Sequence, residues 1–421
     1  MDRRYFLKSS GIALASLGLM SAAPNFLHQF ANAQTLTDKT GKKKVLITIF
    51  QRGAVDGLNM VVPYGESEYY NLRRNIAVAQ PGKQDGAIDL NDFFGLHPAL
   101  KPFESFWKNK QLAVIHSVGS PDNTRSHFDA QDYMEAGTPG VKSTRDGWLN
   151  RILQTTQNEK DSPFRAVAMA QQTPRSMIGR ASTISMTNLS DFAIRAGAYT
   201  ASVQGGFEAA WQQNAMDNLG DTGKETFEAV KFLKQANPAK YKPENGAAYP
   251  NSPFGQSLLQ IAQLIKAGVG LEVAFTDTPG LNWDTHANEG NGRGQLANLL
   301  RNFGESIAAL ATDLGTRMDD VIILTMSEFG RTARQNGSGG TDHGHGNSMF
   351  IIGNSVKGGK VYGDWKGLKS DALFQGQDLA VTTDFRDVFA EIAYKHLGSR
   401  DLKKLFPNYS APEKNFKGIL A

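Results

Sequence analysis

The sequence predicts an α/β protein whose central sheet is largely parallel and is covered by helices on both faces. Short unbroken apolar runs, of which Val45–Phe50 and Val321–Met326 are the clearest, have the length and composition of strands buried on both faces. Between such runs lie longer segments in which apolar residues recur three and four positions apart, as they do along one face of a helix. Strands that alternate with helices favour a parallel sheet, because each parallel connection needs a crossover.

The individual elements follow in chain order, each predicted from this periodicity. The predicted strands are residues 45–50, 112–118, 166–170, 271–276, 321–326 and 350–352. The predicted helices are residues 98–110, 126–136, 147–157, 254–267, 295–314 and 384–397. Residues 185–249 are polar and rich in Asn, Gln and Gly, so we expect a helical insertion or cap on a single domain that spans residues 45–421.

The first 33 residues are predicted to be an export signal outside the folded domain. Arg3 and Arg4 precede an apolar stretch at residues 11–23, and the segment ends with the small-residue sequence A-N-A at 31–33. This pattern is typical of a twin-arginine signal, which exports folded proteins, and it predicts a periplasmic or otherwise exported bacterial protein. The alternative, an N-terminal anchor helix, would need about 20 apolar residues. Residues 34–44 are predicted to be a polar, basic tether.

Composition excludes several classes of protein. Lys plus Arg number 45 and Asp plus Glu 41, a net charge of +4, so bulk charge gives no reason to expect a nucleic-acid partner. Charged residues make up 20% of the chain, which excludes a polytopic membrane protein, and no stable membrane span is expected in the mature protein. Cysteine is absent, so disulfides and thiolate metal sites are excluded, and any metal must be bound by His, Asp or Glu.

Residue types suited to catalysis follow the early strands, at the position where parallel α/β sheets bind ligands. Asp56 comes soon after the first strand, although a turn aspartate is the simpler interpretation of it alone. Ser126 begins a predicted helix, where free N–H groups favour anions and an activated hydroxyl, but with Asp129 it also fits a capping box. Arg125 and His127 would flank a bound anionic group, or would be ordinary surface residues.

Two further clusters follow later strands. Asp284 and His286 lie two positions apart in a loop, and their side chains are suitable ligands for zinc or manganese. Glu328 and Arg331 follow the strand at 321–326, where a carboxylate can bind a cation and an arginine can bind an oxyanion.

The strongest single signal is the glycine-rich loop before the last core strand. It contains Asp342, His343 and His345 within four positions, a composition that suits a ligand-bearing loop better than a core segment. Four of the eight histidines of the chain fall in the clusters described above. Carboxylates and imidazoles around two cations would polarise an ester oxygen and lower the pKa of a bound serine or water, which predicts phosphoryl or sulfuryl transfer, or hydrolysis.

Together these motifs resemble a known family. The matching segments are the twin-arginine leader, F-Q-R-G-A-V-D-G-L-N (50–59), R-S-H-F-D-A-Q-D-Y-M-E-A-G (125–137), N-W-D-T-H (282–286), S-E-F-G-R-T (327–332) and G-T-D-H-G-H-G (340–346). They are similar to the exported family catalogued as domain of unknown function 1501, over nearly all of the mature chain. That family is grouped with the alkaline phosphatase and sulfatase clan. The resemblance implies a central sheet, a dinuclear metal site at the strand ends and a hydroxyl nucleophile at a helix start.

The resemblance also implies roles for single residues. Asp56 looks like the clan's first-strand metal aspartate, and Ser126 is similar in placement to the nucleophile of cofactor-independent phosphoglycerate mutases. Asp284 and His286 resemble the clan's D-x-x-x-H ligand pair with a shorter spacing.

One segment departs from the clan's pattern. Glu328 and Phe329 stand where the clan has the aspartate and histidine of a D-H-G segment. Either His343 or His345, with Asp342, replaces the missing imidazole, or one of the two metal positions is lost.

The sequence therefore predicts an exported metal-dependent hydrolase or transferase of phosphate or sulfate esters. Ser126 would be the nucleophile, and Arg125, His127 and Arg331 would bind the substrate, a small-molecule or glycan-borne ester. About two divalent cations, of zinc, manganese or calcium, would be bound by Asp56, Asp284, His286, Glu328, Asp342, His343 and His345. The twin-arginine translocase would be a partner during export. The alternative is a noncatalytic periplasmic protein on the same fold that binds a glycan or a partner.

Overall fold

The computed structural model describes residues 43–156, 162–189, 241–409 and 413–421. The predicted leader, most of the tether and most of the predicted insertion lie outside the described residues. None of the helices within the described ranges combines the length and the apolar character needed to cross a membrane.

The described secondary structure alternates strands and helices along the chain. The strands are β1 (Val45–Phe50), β2 (Val61–Val62), β3 (Ile88–Asp89), β4 (Gly95–Leu96), β5 (Leu112–Gly119), β6 (Ala166–Met169), β7 (Ile184–Met186), β8 (Val273–Asp277), β9 (Val321–Met326), β10 (Asn347–Ile352), β11 (Lys360–Tyr362) and β12 (Thr383–Asp384). The helices are α1 (Gly57–Met60), α2 (Ser67–Leu72), α3 (Glu104–Lys108), α4 (His127–Ala136), α5 (Trp148–Thr155), α6 (Pro253–Lys266), α7 (Gln295–Leu314), α8 (Phe385–Lys395) and α9 (Leu402–Leu405). Short 3-10 turns occur at Pro98–Phe103, Pro163–Arg165, Arg175–Met177, Gly315–Asp319 and Glu413–Asn415.

The central sheet has nine strands in the order β11-β5-β10-β9-β1-β8-β6-β7, with β12 paired to β5. All of its pairs are parallel except those of β10, which runs antiparallel to both β5 and β9. A separate sheet contains β2, β4 and β3. The predicted α/β class with a largely parallel sheet is confirmed.

Helices cover both faces of the sheet because successive residues of each buried strand point to opposite sides. In β1, Val45, Ile47 and Ile49 pack in one core, with side chains of α6 and α7. Leu46 and Phe50 pack in a second core, with side chains of α5 and α8. All six residues of β1 are buried, which explains why its sequence is an unbroken apolar run rather than an alternating one.

Register places the ends of the central strands side by side. Phe50, the last residue of β1, pairs with Met326 of β9 on one side and with Asp277 of β8 on the other. The loops that follow these three strands therefore begin at the same level of the sheet.

Some elements differ from the predicted ones. The helix predicted at residues 98–110 is a 3-10 turn followed by α3, because Pro102 lacks an amide hydrogen and Leu100 has non-helical backbone angles. Residues 185 and 186, at the start of the predicted insertion, belong to β7 and extend the central sheet beside β6. The short strands β11 and β12, which both pair with β5, carry too few apolar residues to stand out in the sequence.

Candidate metal centre

The sequence clusters meet at one edge of the sheet. The loops after β1, β8 and β9 begin at the carboxyl ends of three neighbouring parallel strands. The glycine-rich loop precedes β10, and because β10 is antiparallel its amino end lies at this same edge. The segment after β5 also ends here and leads into α4. The sequence did not reveal the direction of β10. Because β10 is antiparallel to its neighbours, the glycine-rich loop before it lies beside the loops that follow β1, β8 and β9.

Three imidazole nitrogens and one carboxylate converge at this edge. His343 Nε2 lies 3.0 Å from His127 Nε2 and 3.1 Å from His286 Nε2. Asp284 Oδ1 lies 3.0 Å from His286 Nε2 and 3.4 Å from His343 Nε2. Asp284 Oδ2 lies 3.6 Å from His127 Nε2. Within the part of the chain that the structure describes, His127, Asp284 and His343 form the one group of at least three potential ligands whose atoms all lie within 4.8 Å of one another.

Each of the three imidazoles directs its other nitrogen, Nδ1, at an oxygen atom. The pairs are His127 Nδ1 with Glu328 Oε1 (2.8 Å), His343 Nδ1 with the carbonyl oxygen of Arg125 (2.9 Å) and His286 Nδ1 with Asp342 Oδ1 (3.3 Å). A neutral imidazole that donates from Nδ1 has a bare lone pair at Nε2. The three lone pairs therefore face one another, which is unfavourable unless a proton or a cation lies between them. Metal-binding histidines are oriented in this way, with the second nitrogen donating to a carboxylate or a carbonyl.

The spacing of these atoms fits a small cation. Zinc binds imidazole nitrogen and carboxylate oxygen at about 2.0–2.2 Å in tetrahedral sites, which sets neighbouring ligand atoms roughly 3.3 Å apart. The distances of 3.0 to 3.6 Å between the ligand atoms agree with this value. The side chains of His127, Asp284 and His343 are about a quarter to a third exposed and that of His286 is nearly half exposed, so the site is open to solvent on one side.

Charges around the site favour an ionised carboxylate. Burial alone would raise the pKa of Asp284. The positive charges of Arg331 and the three histidines lower it by more than burial raises it, so the pKa lies below the usual value. The hydrogen bond with Glu328 raises the pKa of His127, whereas burial lowers the pKa of His343.

Arg331 supplies a buried positive charge beside the cluster. Its side chain is fully buried, and Nη1 lies 2.9 Å from Asp284 Oδ1. This contact is an ion pair without hydrogen-bond geometry, and none of the three guanidinium nitrogens has a hydrogen-bond partner among the described residues. An arginine with unused donors in this position is suited to an anionic ligand.

Ser126 caps α4, which was one of the two roles that the sequence left open. Its hydroxyl accepts the N–H of Asp129 at 3.5 Å. The reciprocal half of a capping box is absent here, because the Asp129 carboxylate pairs with Lys142 and the Ser126 N–H donates to Thr124 Oγ1. The serine nevertheless lies between two residues that contact the metal cluster, because His127 follows it and the preceding carbonyl binds His343.

Glu328 and Asp342 lie behind the histidines rather than among the converging atoms. Glu328 is fully buried, and its Oε1 accepts three hydrogen bonds of 2.8 Å, from Gly53 N, His127 Nδ1 and Gln131 Nε2. Burial raises the pKa of Glu328, but the bonds from His127 and Gln131 lower it, so this carboxylate is ionised and orients His127. Asp342 orients His286 from the opposite side of the site.

Three other residues singled out in the sequence are engaged elsewhere. Asp56 caps α1 through Oδ1 and pairs with Arg73 at 2.5 Å through Oδ2, so the structure does not bring it to the cluster. His345 stacks on Phe374 with ring centres 4.4 Å apart, and burial lowers its pKa to about 4. The guanidinium of Arg125 bonds to the buried carboxylate of Asp378, and it is the backbone of Arg125 that reaches the site.

Phe329, which the sequence resemblance aligned with a histidine, packs against the cluster. Its ring centre lies 4.9 Å from that of His127 and 5.1 Å from that of His343. Of the two histidines that the sequence offered as replacements, the structure places His343 in the cluster and His345 outside it.

A buried carboxyl beneath the site, Glu289, was missed in the sequence. Its Oε2 accepts hydrogen bonds of 3.1 Å from the hydroxyls of both Thr285 and Thr341, and its Oε1 accepts one from Asn59. Thr285 lies between Asp284 and His286, and Thr341 lies in the glycine-rich loop, so Glu289 joins the two ligand-bearing loops. No motif marks this residue, because a single glutamate among glycines and asparagines has no distinctive spacing.

Glu289 and Asp56 form a coupled pair of buried carboxyls. Burial raises the pKa of both, and the charge of Asp56 raises that of Glu289 further. At Asp56 the positive charge of Arg73 lowers the pKa by more than burial raises it, so the pKa lies below the usual value. The two pKa values therefore move apart, that of Glu289 upwards and that of Asp56 downwards.

Comparison with known proteins places the chain in a family. The family described as a protein of unknown function, DUF1501, matches residues 43–405. The chain belongs to the DUF1501 family. The family resemblance found in the motifs between residues 50 and 346 is thereby confirmed, whereas the twin-arginine leader stays a prediction. No curated protein matches the chain.

Three solved structures show a distant likeness to this DUF1501 protein. The PsFucS1 sulfatase from Pseudoalteromonas sp. is 12% identical with a TM-score of 0.37, and the match covers 89% of this chain and 72% of the sulfatase. Ps i-CgsB in complex with k-i-k-neocarrahexaose is 8% identical with a TM-score of 0.37, over 90% and 77% of the two chains. The lipoteichoic acid synthase LtaP from Listeria monocytogenes is 7% identical with a TM-score of 0.32, over 78% and 70%. At scores this low, the likeness carries no argument about the chemistry of this chain.

Proposed function

We propose that this chain is an exported, metal-dependent hydrolase or transferase that acts on phosphate or sulfate esters. The observation that carries the proposal is the convergence of three Nε2 atoms and the Asp284 carboxylate at the carboxyl edge of the sheet. This donor set suits zinc or manganese, whereas calcium prefers oxygen ligands alone. The binding of two cations stays a prediction, because the described residues form one such group.

A divalent cation held by these residues would polarise an ester oxygen and lower the pKa of a nearby hydroxyl or water. Arg331 would attract the anionic ester, because its buried charge and unused donors lie beside Asp284. Glu328 and Asp342 would keep the imidazoles His127 and His286 in the tautomer that leaves Nε2 free.

Ser126 is the proposed nucleophile. It stands at the amino end of α4, where free N–H groups and the helix dipole favour an anion, and its neighbours on both sides contact the cluster. Its Oγ would form a bond to phosphorus or sulfur while the bond to the leaving oxygen breaks, and the proton of the serine hydroxyl would end on that leaving oxygen. Water would then hydrolyse the covalent ester and restore the serine.

A noncatalytic periplasmic binding protein on the same fold is the second candidate. The observation that favours it is the engagement of the Ser126 hydroxyl as a helix cap, which is a sufficient structural reason for a serine at this position. Such a protein would bind a cation and a glycan or a partner without turnover.

The experiment compares Ser126→Ala with Ser252→Ala in full-length protein exported with its own leader and purified without chelators. Ser252 caps α6 by accepting the N–H of Gly255, so both variants lose the same kind of cap, at a cost of about 0.5–2 kcal/mol. Divalent metal content and turnover of aryl phosphates, phosphodiesters and aryl sulfates would be measured with added zinc or manganese. We expect Ser126→Ala to lose turnover with unchanged metal content, while Ser252→Ala stays active.

The other outcomes separate the two candidates. Turnover that survives in Ser126→Ala at the wild-type rate would show that Ser126 is not the nucleophile. A wild-type protein that binds metal but turns over none of these esters would favour the binding protein. A wild-type protein that binds no divalent metal after reconstitution would overturn the metal centre itself.

A further inference from the structure

A cleft of about 910 Å³ lies beside the candidate metal centre, over the carboxyl ends of β6, β7 and β8. Its lining comes from residues at and directly after the ends of these strands, from Arg52 after β1 and from residues 253–263 of α6. The metal centre is formed in the same sheet by the segments that follow β5 and β8 and the loop that precedes β10, with Glu328 of the loop after β9 behind His127. Both sites therefore occupy the sheet edge at which parallel α/β proteins bind ligands.

The cleft has polar walls without a net charge. Among the described residues that line it, the charged side chains are Arg52 and Asp277, and these pair with each other at 2.6 Å. Most of the other lining side chains are amides and hydroxyls. Among the described lining residues a charged ligand would find no unpaired counter-charge, so this lining favours an uncharged polar ligand.

Three of the lining amides are available to a ligand. The side chains of Gln171, Gln172 and Gln256 have no hydrogen-bond partner in the described part of the protein, whereas Gln260 accepts the N–H of Leu189 at 2.6 Å. Each free amide offers both donors and an acceptor, which is the pattern that matches a hydroxyl group. Between the amides, apolar atoms such as those of Leu259 can contact the C–H face of a sugar ring.

Arg52 connects the cleft to the metal centre. Its Nη1 donates to Gln131 Oε1 at 3.0 Å, and Gln131 Nε2 donates to Glu328 Oε1 at 2.8 Å. The same Glu328 oxygen orients His127. Two side chains thus separate a residue of the cleft wall from a residue of the metal cluster.

We propose that this cleft binds an uncharged, polyhydroxylated part of the substrate, a sugar unit or a short neutral oligosaccharide, and positions its ester group at the metal centre. This inference rests on the proposed function and narrows its substrates to sugar-borne esters. A substrate that spans both sites would place its anionic group near Arg331 and its hydroxyl groups against the free amides.

The test uses the triple variant Gln171→Ala/Gln172→Ala/Gln256→Ala and a matched control, Gln80→Ala/Gln84→Ala, which changes exposed glutamines outside the cleft. Two substrates with the same scissile group would be compared, an aryl ester and the corresponding ester of a neutral hexose. We expect the triple variant to raise KM for the sugar ester about tenfold or more, as the loss of several hydrogen bonds implies. Its kinetics with the aryl ester and its metal content should equal those of the control. An equal effect on both substrates, or none, would overturn the proposal.

A binding measurement separates this proposal from the proposed function. Titration calorimetry with neutral hexose tetrasaccharides that carry no ester would be run on wild type and on the triple variant. Sugar binding that disappears in the triple variant would support the cleft even if no ester is turned over, in which case the proposed function alone fails. Turnover of aryl esters without sugar binding and without discrimination between the two esters would refute the cleft and leave the proposed function standing. Absence of both turnover and sugar binding would refute both.

Discussion

Two neighbouring groups of ionisable side chains in this protein both contain an aspartate beside positive or protonatable partners, yet they have opposite chemistry. In the lower group, Asp56, Arg73 and Glu289 are fully buried, and the oxygen atoms of Asp56 and Glu289 face N–H and O–H donors. In the upper group, the Nε2 atoms of His127, His286 and His343 face one another and the Asp284 carboxylate across 3.0 to 3.6 Å. A metal site is therefore marked by converging lone pairs without donors, and not by the presence of carboxylates alone.

The two groups are joined by hydroxyl hydrogen bonds. Thr285 and Thr341 belong to the loops that carry the metal-site residues, and both donate to Glu289 in the group below. In the lower group the charge of Arg73 offsets that of Asp56, and the raised pKa of Glu289 favours its neutral form, so the group does not depend on a cation. It can therefore serve as a rigid support for loops whose own side chains remain unsatisfied.

The largest effect on cation binding is expected from His343→Ala, compared with His345→Ala in the same loop. His343 Nε2 is close to both other imidazoles, so its loss removes the central donor of the cluster. His345 stacks on Phe374 and donates nothing to the site. We expect the divalent metal content to fall from about one ion per chain to nearly none in His343→Ala and to stay at the wild-type level in His345→Ala. Elemental analysis of both variants, with circular dichroism as a control for folding, would check this.

Equal metal content in the two variants would show that the converging nitrogens do not hold the cation. Loss in His345→Ala alone would mean that the loop rearranges when metal binds, with His345 in place of His343. Either result would contradict the assignment of the metal site to the converging lone pairs of the upper group.

The sequence predicted much of this architecture because buried strands and long amphipathic helices leave strong local patterns. The strands Val45–Phe50 and Val321–Met326 and the helix Gln295–Leu314 have the bounds that periodicity assigned to them. The glycine-rich loop was also found, because histidines and an aspartate among glycines do not suit a core.

Other features of the site depend on long-range contacts and have no local pattern. The antiparallel direction of β10, which brings His343 to the strand ends, is set by pairing with two distant strands. Asp56 caps a helix and pairs with Arg73 instead of binding a metal, and the sequence does not show that Arg73 lies beside it in the fold. Glu289 was missed because its partners Thr285 and Thr341 are hydroxyl residues that occur everywhere in proteins.

Substitution of Glu289 is expected to have an intermediate effect on zinc affinity. Two variants are compared, one that removes its hydrogen bonds and one that keeps most of them. Glu289→Ala removes the acceptor shared by Thr285 and Thr341, so the two ligand-bearing loops lose their common anchor. We expect it to weaken zinc affinity about 10- to 100-fold, the usual range for residues that orient metal ligands. Glu289→Gln keeps an acceptor for the threonines and a donor for Asp56, so its affinity should stay closer to wild type. Competition with a zinc chelator would measure both, and equal affinities in the two variants would contradict the anchoring role.

Substitution of Asp56 in the lower group is expected to change cation binding least and the free energy of unfolding most. Asp56→Asn removes the carboxylate that pairs with the fully buried Arg73, but Glu289 can ionise beside Arg73 and replace part of the lost charge. The double variant Asp56→Asn/Glu289→Gln leaves Arg73 without an anion, which should lower the free energy of unfolding by about 3–5 kcal/mol, and the single variant should lose less. Metal content per folded chain should stay near the wild-type value in the single variant. Urea unfolding monitored by fluorescence would give the free energies, and loss of metal in folded Asp56→Asn would restore Asp56 as a ligand.

The pH dependence of the same comparison gives an independent check on the state of Asp56. Burial alone would raise the pKa of Asp56. Arg73 lowers it by more than burial raises it, so the pKa in the folded protein is below the unfolded value of about 3.9. A carboxyl with a depressed pKa stabilises the fold at pH values above its unfolded pKa, and this contribution is lost as the pH falls through the folded pKa. The difference in unfolding free energy between Glu289→Gln and the double variant Asp56→Asn/Glu289→Gln, in which residue 289 cannot ionise, should therefore be constant near neutral pH and shrink below about pH 4. A difference that grows on acidification would mean that Asp56 is protonated in the folded protein, and the lower group would then carry an uncompensated arginine just beneath the metal site.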